Sequence, residues 1–228
     1  MALTILSSNR VETLQENLCY RLTERLPANP FAAEIIVVPT YAMARWLNLR
    51  IAQQQGIAAN IDYPLPAGWV WQLAASILES VPDQDPLQPA LASWKIFNLL
   101  PEMLSNPAFA SLQHYLADDD QSVKRWQLSN RIATVFDRYQ LCRPEMLRSW
   151  CDGSGEHWQA ELWRALIAGL AQSHRVVVIE QLIKRLRTGF DCSPLPERIS
   201  LFALSSLPPL LVEVIHALSA HTEIMLYQ

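Results

Sequence analysis

The sequence contains no Gly-Lys pair. A phosphate-cradling P-loop needs one after its first strand: the glycines let backbone N–H groups wrap the phosphates, and the lysine neutralises them. Leu6-Ser7-Ser8-Asn9-Arg10 stands in that place, too short and without glycine, and reads as a plain helix cap. ATP hydrolysis is therefore not expected. The four cysteines (Cys19, Cys142, Cys151, Cys192) show no Cys-x-x-Cys spacing, and no histidine stands at zinc spacing from a cysteine or glutamate. Cys19 and Cys142 lie in apolar helical contexts and read as reduced core thiols. There is no G-x-S-x-G, and the five histidines lack a partner at motif spacing. Neither catalytic nor metal-ligating residues are expected. No apolar run approaches the roughly 20 residues of a membrane span. Met1 leads directly into a strand and a polar helix rather than a signal peptide, so a cytoplasmic location is expected.

Charge is also scarce. Charged residues make up 18% of the 228, against an average of about 25%. Lysine is rarest, with Lys95, Lys124 and Lys184 against fifteen arginines. Arginine offers the planar, bidentate and stacking contacts to phosphates and bases that lysine lacks; genome base composition explains the bias equally well. The net charge is −4, so contact with nucleic acid has to come from a local patch. Half the residues are hydrophobic and eight are tryptophan, enough for one large domain or two small ones. Low charge with many tryptophans implies a piece of a larger protein or complex; a Trp-rich monomer core is the alternative.

Strand and helix signals alternate at both ends of the chain. Leu3–Leu6 reads as a short buried strand, and Asn9 with Glu12 as a capping box for a helix carrying Val11, Leu14, Leu18, Leu22 and Leu26. Pro27–Pro30 reads as a turn. Residues 34–38 form a continuous apolar strand of the kind found in parallel sheets covered on both faces. Ala42, Arg45 and Leu49 belong to the following helix. Residues 56–71 show no period and read as an irregular, apolar loop ending in tryptophans, the kind of loop kept in order to hold something. Helical patterns then follow at 71–78, 91–104 (with Trp94, Phe97 and Leu100 on one face), 108–116, 122–140, from Pro144, 159–172 and 178–187. Pro82–Pro89 reads as an acidic, proline-rich connector and residues 191–197 as a linker. Asp118-Asp119-Asp120 reads as a cap for the long helix rather than as a metal site. The tail returns to strand (198–204), helix (208–220) and strand (222–227). The expected fold is α/β, a parallel sheet with a large helical insertion: residues 1–66 form the first half of the α/β domain, 67–190 the helical subdomain, and 191–228 the return. Ending on a strand suggests a truncated chain.

Residues 121–150 carry Lys124, Arg125, Arg131, Arg138, Arg143 and Arg148 against Asp137 and Glu145, a net of +4. Trp126, Phe136, Tyr139 and Trp150 interleave with them. Such a mixture suits single-stranded DNA, whose bases stack and whose phosphates pair; an ordinary solvated helix face is the alternative.

A series of idiosyncratic segments runs the length of the chain. It includes Ser8-Asn9-Arg10, Ala44-Arg45-Trp46-Leu47, Gly56 to Trp71, Ser93-Trp94-Lys95, Leu99-Leu100-Pro101, His114-Tyr115-Leu116 and Gln127-Leu128-Ser129. Phe136-Asp137, Arg143-Pro144 and Leu207-Pro208-Pro209 complete it. Together they resemble the N-terminal part of the RecC family, the gamma subunits of exodeoxyribonuclease V. The resemblance implies an inactive superfamily 1 helicase-like domain whose first turn holds the place of the P-loop without its chemistry. It also implies a non-catalytic subunit that handles the 3′-ended single strand and recognises Chi-type sequences in double-strand break repair; a purely structural scaffold is the alternative. The implied partners are single-stranded and forked DNA, the beta helicase–nuclease and the alpha helicase. ATP and magnesium would be used by those partners, with no cofactor in this chain. By position, the family's contact surface falls on Thr40, Tyr41, Arg45, Leu65, Trp71, Asp137, Arg143 and Arg175; the basic stretch adds Arg138. The loop after the second strand departs from the family, with Pro39-Thr40-Tyr41-Ala42 and Arg45 where known members carry Gln-Ser-Thr-Gly and a glutamine. Gln and Thr read base edges and Pro cannot, so a regulatory sequence other than the usual Chi is expected.

Overall fold

The computed structural model describes residues 3–25, 28, 29, 31–170, 173–189 and 195–228. Pro27 and Pro30 of the expected turn, Leu26 of the first helix, the last two residues of the 159–172 helix, Cys192 and residues 191–194 of the linker lie outside these residues. Five strands form one parallel sheet in the order β1 (Leu3–Leu6), β5 (Glu223–Tyr227), β4 (Arg198–Phe202), β2 (Glu34–Val37), β3 (Ile61–Asp62). The chain divides into two compact units, 1–77 with 182–228, and 78–181.

The first unit holds the sheet, with helices α1 (Val11–Glu24), α2 (Tyr41–Gln55), α3 (Pro66–Ile77) and α10 (Pro209–Leu218). The last two strands run between β1 and β2, so the sheet needs both ends of the unit's sequence. Strands β4 and β5 are buried along nearly their whole length, Ser200 of β4 included, as a parallel sheet covered on both faces requires. One face packs Leu14 and Leu18 of α1 and Leu47 and Ile51 of α2 against Ile36, Val38, Phe202, Met225 and Tyr227. At the amino ends of the strands, Arg198 grips both carboxylate oxygens of Glu34 and donates to the carbonyls of Arg21 and Arg25, 3.2 and 2.6 Å away. Glu223 in turn receives Arg21 and Arg25.

The structure corrects three local readings in this unit. Strand β1 is an edge strand, not a buried one, with Leu3 38% and Ile5 53% exposed; an apolar tetrapeptide looks the same in sequence whether or not a neighbour covers it. The Asn9–Glu12 capping box does not form. Arg10 is the N-cap of α1 without a side-chain cap, and Ser8 Oγ accepts from the Arg10 N–H instead. Residues 56–71 are not an irregular loop. Gly56 ends α2 in the left-handed region (φ 82°), where glycine carries no Cβ penalty. Strand β3 follows, and α3 opens on Pro66, a residue suited to a helix's first turn.

The second unit is helical: α4 (Pro89–Met103), α5 (Ala110–Tyr115), α6 (Val123–Cys142), α7 (Pro144–Cys151) and α8 (Trp158–Ala168), with the boundary falling inside α9 (Arg175–Thr188). Its core gathers Ile96, Leu100, Phe109, Phe136, Leu147, Trp150 and Trp163. Each fully buried Leu, Ile or Phe side chain contributes about 1.5–3 kcal/mol. Asp119 caps α6 from a distance, its carboxylate accepting from the N–H groups of Lys124 (3.0 Å) and Arg125 (2.8 Å). The Pro82–Pro89 connector is no mere surface link, since Asp85 and Leu87 are buried. Among the described residues no helix is long and apolar enough to cross a membrane.

Candidate nucleic-acid interface

In a parallel sheet all carboxyl ends face one edge, and ligands of open α/β sheets gather there. In the first unit that edge carries the turn after β1, the loop after β2 and the segment after β3. Val38, just beyond β2, donates its N–H to the Pro64 carbonyl at 3.1 Å, tying two of these segments together. Thr40 caps α2: its Oγ1 accepts from the Met43 N–H at 3.2 Å. Tyr41 then stands 75% exposed, and Arg45, one turn further, is exposed without an ion pair to any described residue. The first turn of α2 holds no acidic residue, so the positive end of the helix dipole is not neutralised locally. The Tyr63 hydroxyl donates to Asn48 Oδ1 at 3.4 Å, and burial pushes the Tyr63 phenol up to about 12, so this link stays protonated at any physiological pH.

Leu65 is half-buried, its carbonyl accepting the Trp69 N–H at 2.9 Å. Trp71, on α3, is 9% exposed, and Trp69 on the same helix is 3% exposed. At the same edge Ser7, Ser8, Asn9, Ser205 and Gln228 line an open polar cleft of about 580 Å³.

The remaining candidates lie in the second unit. Arg138 and Arg143 are exposed, near and just after the end of α6, with no ion pair to a described residue. Arg175 is different. Its side chain is only 8% exposed, and its guanidinium spans two carboxylates, Asp85 at 2.5 Å and Asp137 at 2.8 Å. Asp137 is thus occupied by Arg175. Next to this triad, burial holds the His174 imidazole below its ordinary value while the charge of Asp85 pulls the other way. The His174 ring meets Trp163 edge-on at 5.5 Å.

The aromatics interleaved with the basic stretch divide in two. Phe136 and Trp150 are core residues, with Phe136 edge-on to Trp163 at 5.4 Å; they offer no stacking face. Trp126 meets Trp94 at 4.3 Å at the surface. Trp94 is 58% exposed while Leu100 is fully buried, so these two do not share a face of α4 as their spacing suggested. Sequence reasoning also missed Asp85. An acid in a proline-rich stretch reads as solvated, and its partner Arg175 is far away in the chain.

Comparison with known proteins adds the family. A family model described as RecC, N-terminal domain, matches residues 3–228. The RecBCD enzyme subunit RecC of Escherichia coli (strain K12) is 36% identical over 237 residues, which cover 98% of this chain and 21% of that protein. The subunit of the same name from Haemophilus influenzae is 30% identical over 96% of this chain and 22% of its own length. That of Mycolicibacterium smegmatis is 29% identical over 100% of this chain and 21% of its own length. The chain thus spans about a fifth of the length of the curated relatives it matches.

Proposed function

This chain belongs to the RecC N-terminal domain family, and from that premise we propose that it is a non-catalytic, DNA-handling part of an exodeoxyribonuclease V subunit in recombinational double-strand break repair. It guides the 3′-ended single strand and takes part in recognising a Chi-type sequence. Its partners are single-stranded and forked DNA, the beta helicase–nuclease and the alpha helicase, which supply ATP and magnesium chemistry in the cytoplasm. The sheet is then that of a helicase-like domain without its motor, interrupted by a helical insertion. A turn after β1 without glycine supports this, since it lacks the backbone freedom that wraps phosphates.

The observation that carries the reading is the start of α2. Tyr41 and Arg45 project from a helix N-terminus with no acid in its first turn, at the sheet edge where ligands gather. Thr40 and Leu65 complete the contact surface of the first unit, with Trp71 buried behind it; on the second unit Arg138 and Arg143 are the contacts, and the Asp137–Arg175 ion pair supports them. A scaffold role has its own support. Phe31 and Ile57 are 89% and 69% exposed before β2 and β3, at the amino edge of the sheet, and such apolar exposure suits a partner subunit.

Arg45 stands where known members carry glutamine. Arginine pairs bidentately with guanine O6 and N7, glutamine with adenine. In the reconstituted full-length enzyme, Arg45→Gln is expected to move the sequence at which degradation is attenuated. A uniform loss of affinity over all sequences, with a shallower salt dependence, would instead assign Arg45 to the phosphate backbone. No change in either would remove Arg45 from the interface.

A further inference from the structure

We propose that the aromatic cluster at the α4–α6 surface, led by Trp94, is a second contact for single-stranded DNA: a base stacks on Trp94 while the backbone follows the cationic outer stripe of α6. The proposal rests on the DNA-handling reading above and adds a site outside the family-matched positions.

Trp94 leaves 58% of its surface open to solvent. Its ring is nonetheless fixed. Trp126 lies 4.3 Å away, tilted by 43°, and Phe97 meets both indoles edge-on at 6.1 and 5.9 Å. The Arg125 guanidinium sits 3.9 Å over the Phe97 ring. One side of the Trp94 indole is held by aromatic neighbours, and the ring offers a flat surface that needs little further ordering to receive a base.

Charge decides between a polyanion and a protein partner. On the outer side of α6, Arg131 and Arg138 are exposed and make no ion pair with a described residue. The one carboxylate of α6, Asp137, is held by Arg175. Arg131 and Arg138, seven residues apart, share one face of α6, and from Trp126 to Arg138 the helix rises about 18 Å at 1.5 Å per residue. That face presents cations without neighbouring acids on the helix, which suits phosphates following it from the stacked base. Lys124, at the start of α6, is paired with Asp118, but further along the helix a protein partner would meet Arg131 and Arg138 without paired acids.

The test is fluorescence anisotropy of labelled oligothymidine titrated with the chain and its variants, beside their melting temperatures. Trp94→Ala should weaken binding about tenfold without lowering the melting temperature, because the ring is largely solvated. Trp94→Phe should recover part of the loss. Arg131→Gln should make the salt dependence shallower by about one unit of slope. Unchanged affinity in Trp94→Ala would overturn the inference. If affinity then falls only with substitutions at Tyr41 and Arg45, the proposed function survives alone. If Trp94→Ala instead weakens only association with the helicase–nuclease subunit, the patch is a protein-docking surface and the inference fails. No binding by the unsubstituted chain would overturn both.

Discussion

Replacing Arg175 by alanine should destabilise the chain by about 3–5 kcal/mol, the cost of leaving buried charge unpaired. Its side chain and that of Asp85 are each 8% exposed, so water cannot replace the lost contacts. Two carboxylates, Asp85 and Asp137, lose their shared cation at once. For a chain of this size each kcal/mol shifts the melting temperature by about 2–4 °C, so thermal unfolding should show the loss as a drop of roughly 6–20 °C. Asp85→Asn should cost less, because Arg175 keeps Asp137 and the amide carries no charge. A melting temperature unchanged in Arg175→Ala would mean that the triad is solvated, and Arg175 would return to the pool of free DNA-contacting cations.

Trp71→Ala should cost about 3–5 kcal/mol as well, this time through the cavity a large ring leaves behind. Trp71 is buried on α3, as are Trp69, Val70, Leu73 and Ala74, and α3 packs against α10 within its unit. The fraction that remains folded should bind single-stranded DNA as the unsubstituted chain does. Denaturant unfolding paired with a DNA titration below the unfolding transition separates the two effects. Reduced affinity with unchanged stability would place the indole on the DNA, as one stacked base is worth about 1–3 kcal/mol.

The parallel sheet was readable because strands 34–37, 198–202 and 223–227 are mostly apolar segments separated by helical periods. Helices α4, α6, α7 and α10 announced themselves through 3.6-residue spacing or a proline at the first turn. What escaped had no local signal. Strand β3 is two residues long, too short for any alternation to register. Helix α3 begins with an apolar run around Trp69-Val70-Trp71, which gives no period because it is buried on more than one side. The exposure of β1 depends on what lies beside Leu3 and Ile5, not on what they are. Likewise, the candidate residues could be placed by family position, but not sorted into surface and interior. Tyr41 and Trp71 are both helical aromatics; only the packing leaves the first in solvent and buries the second. Arg175 and Arg143 look alike in sequence, and Asp85 makes the difference.

The most direct measurement is the affinity of a chain carrying Tyr41→Ala and Arg45→Ala together for single-stranded DNA, recorded beside its melting temperature. Both side chains are exposed and Thr40 still caps α2, so stability should hold. Loss of one stacking and one cationic contact should weaken binding tenfold or more. Affinity equal to that of the unsubstituted chain, at equal stability, would contradict the assignment of the α2 start as the DNA interface.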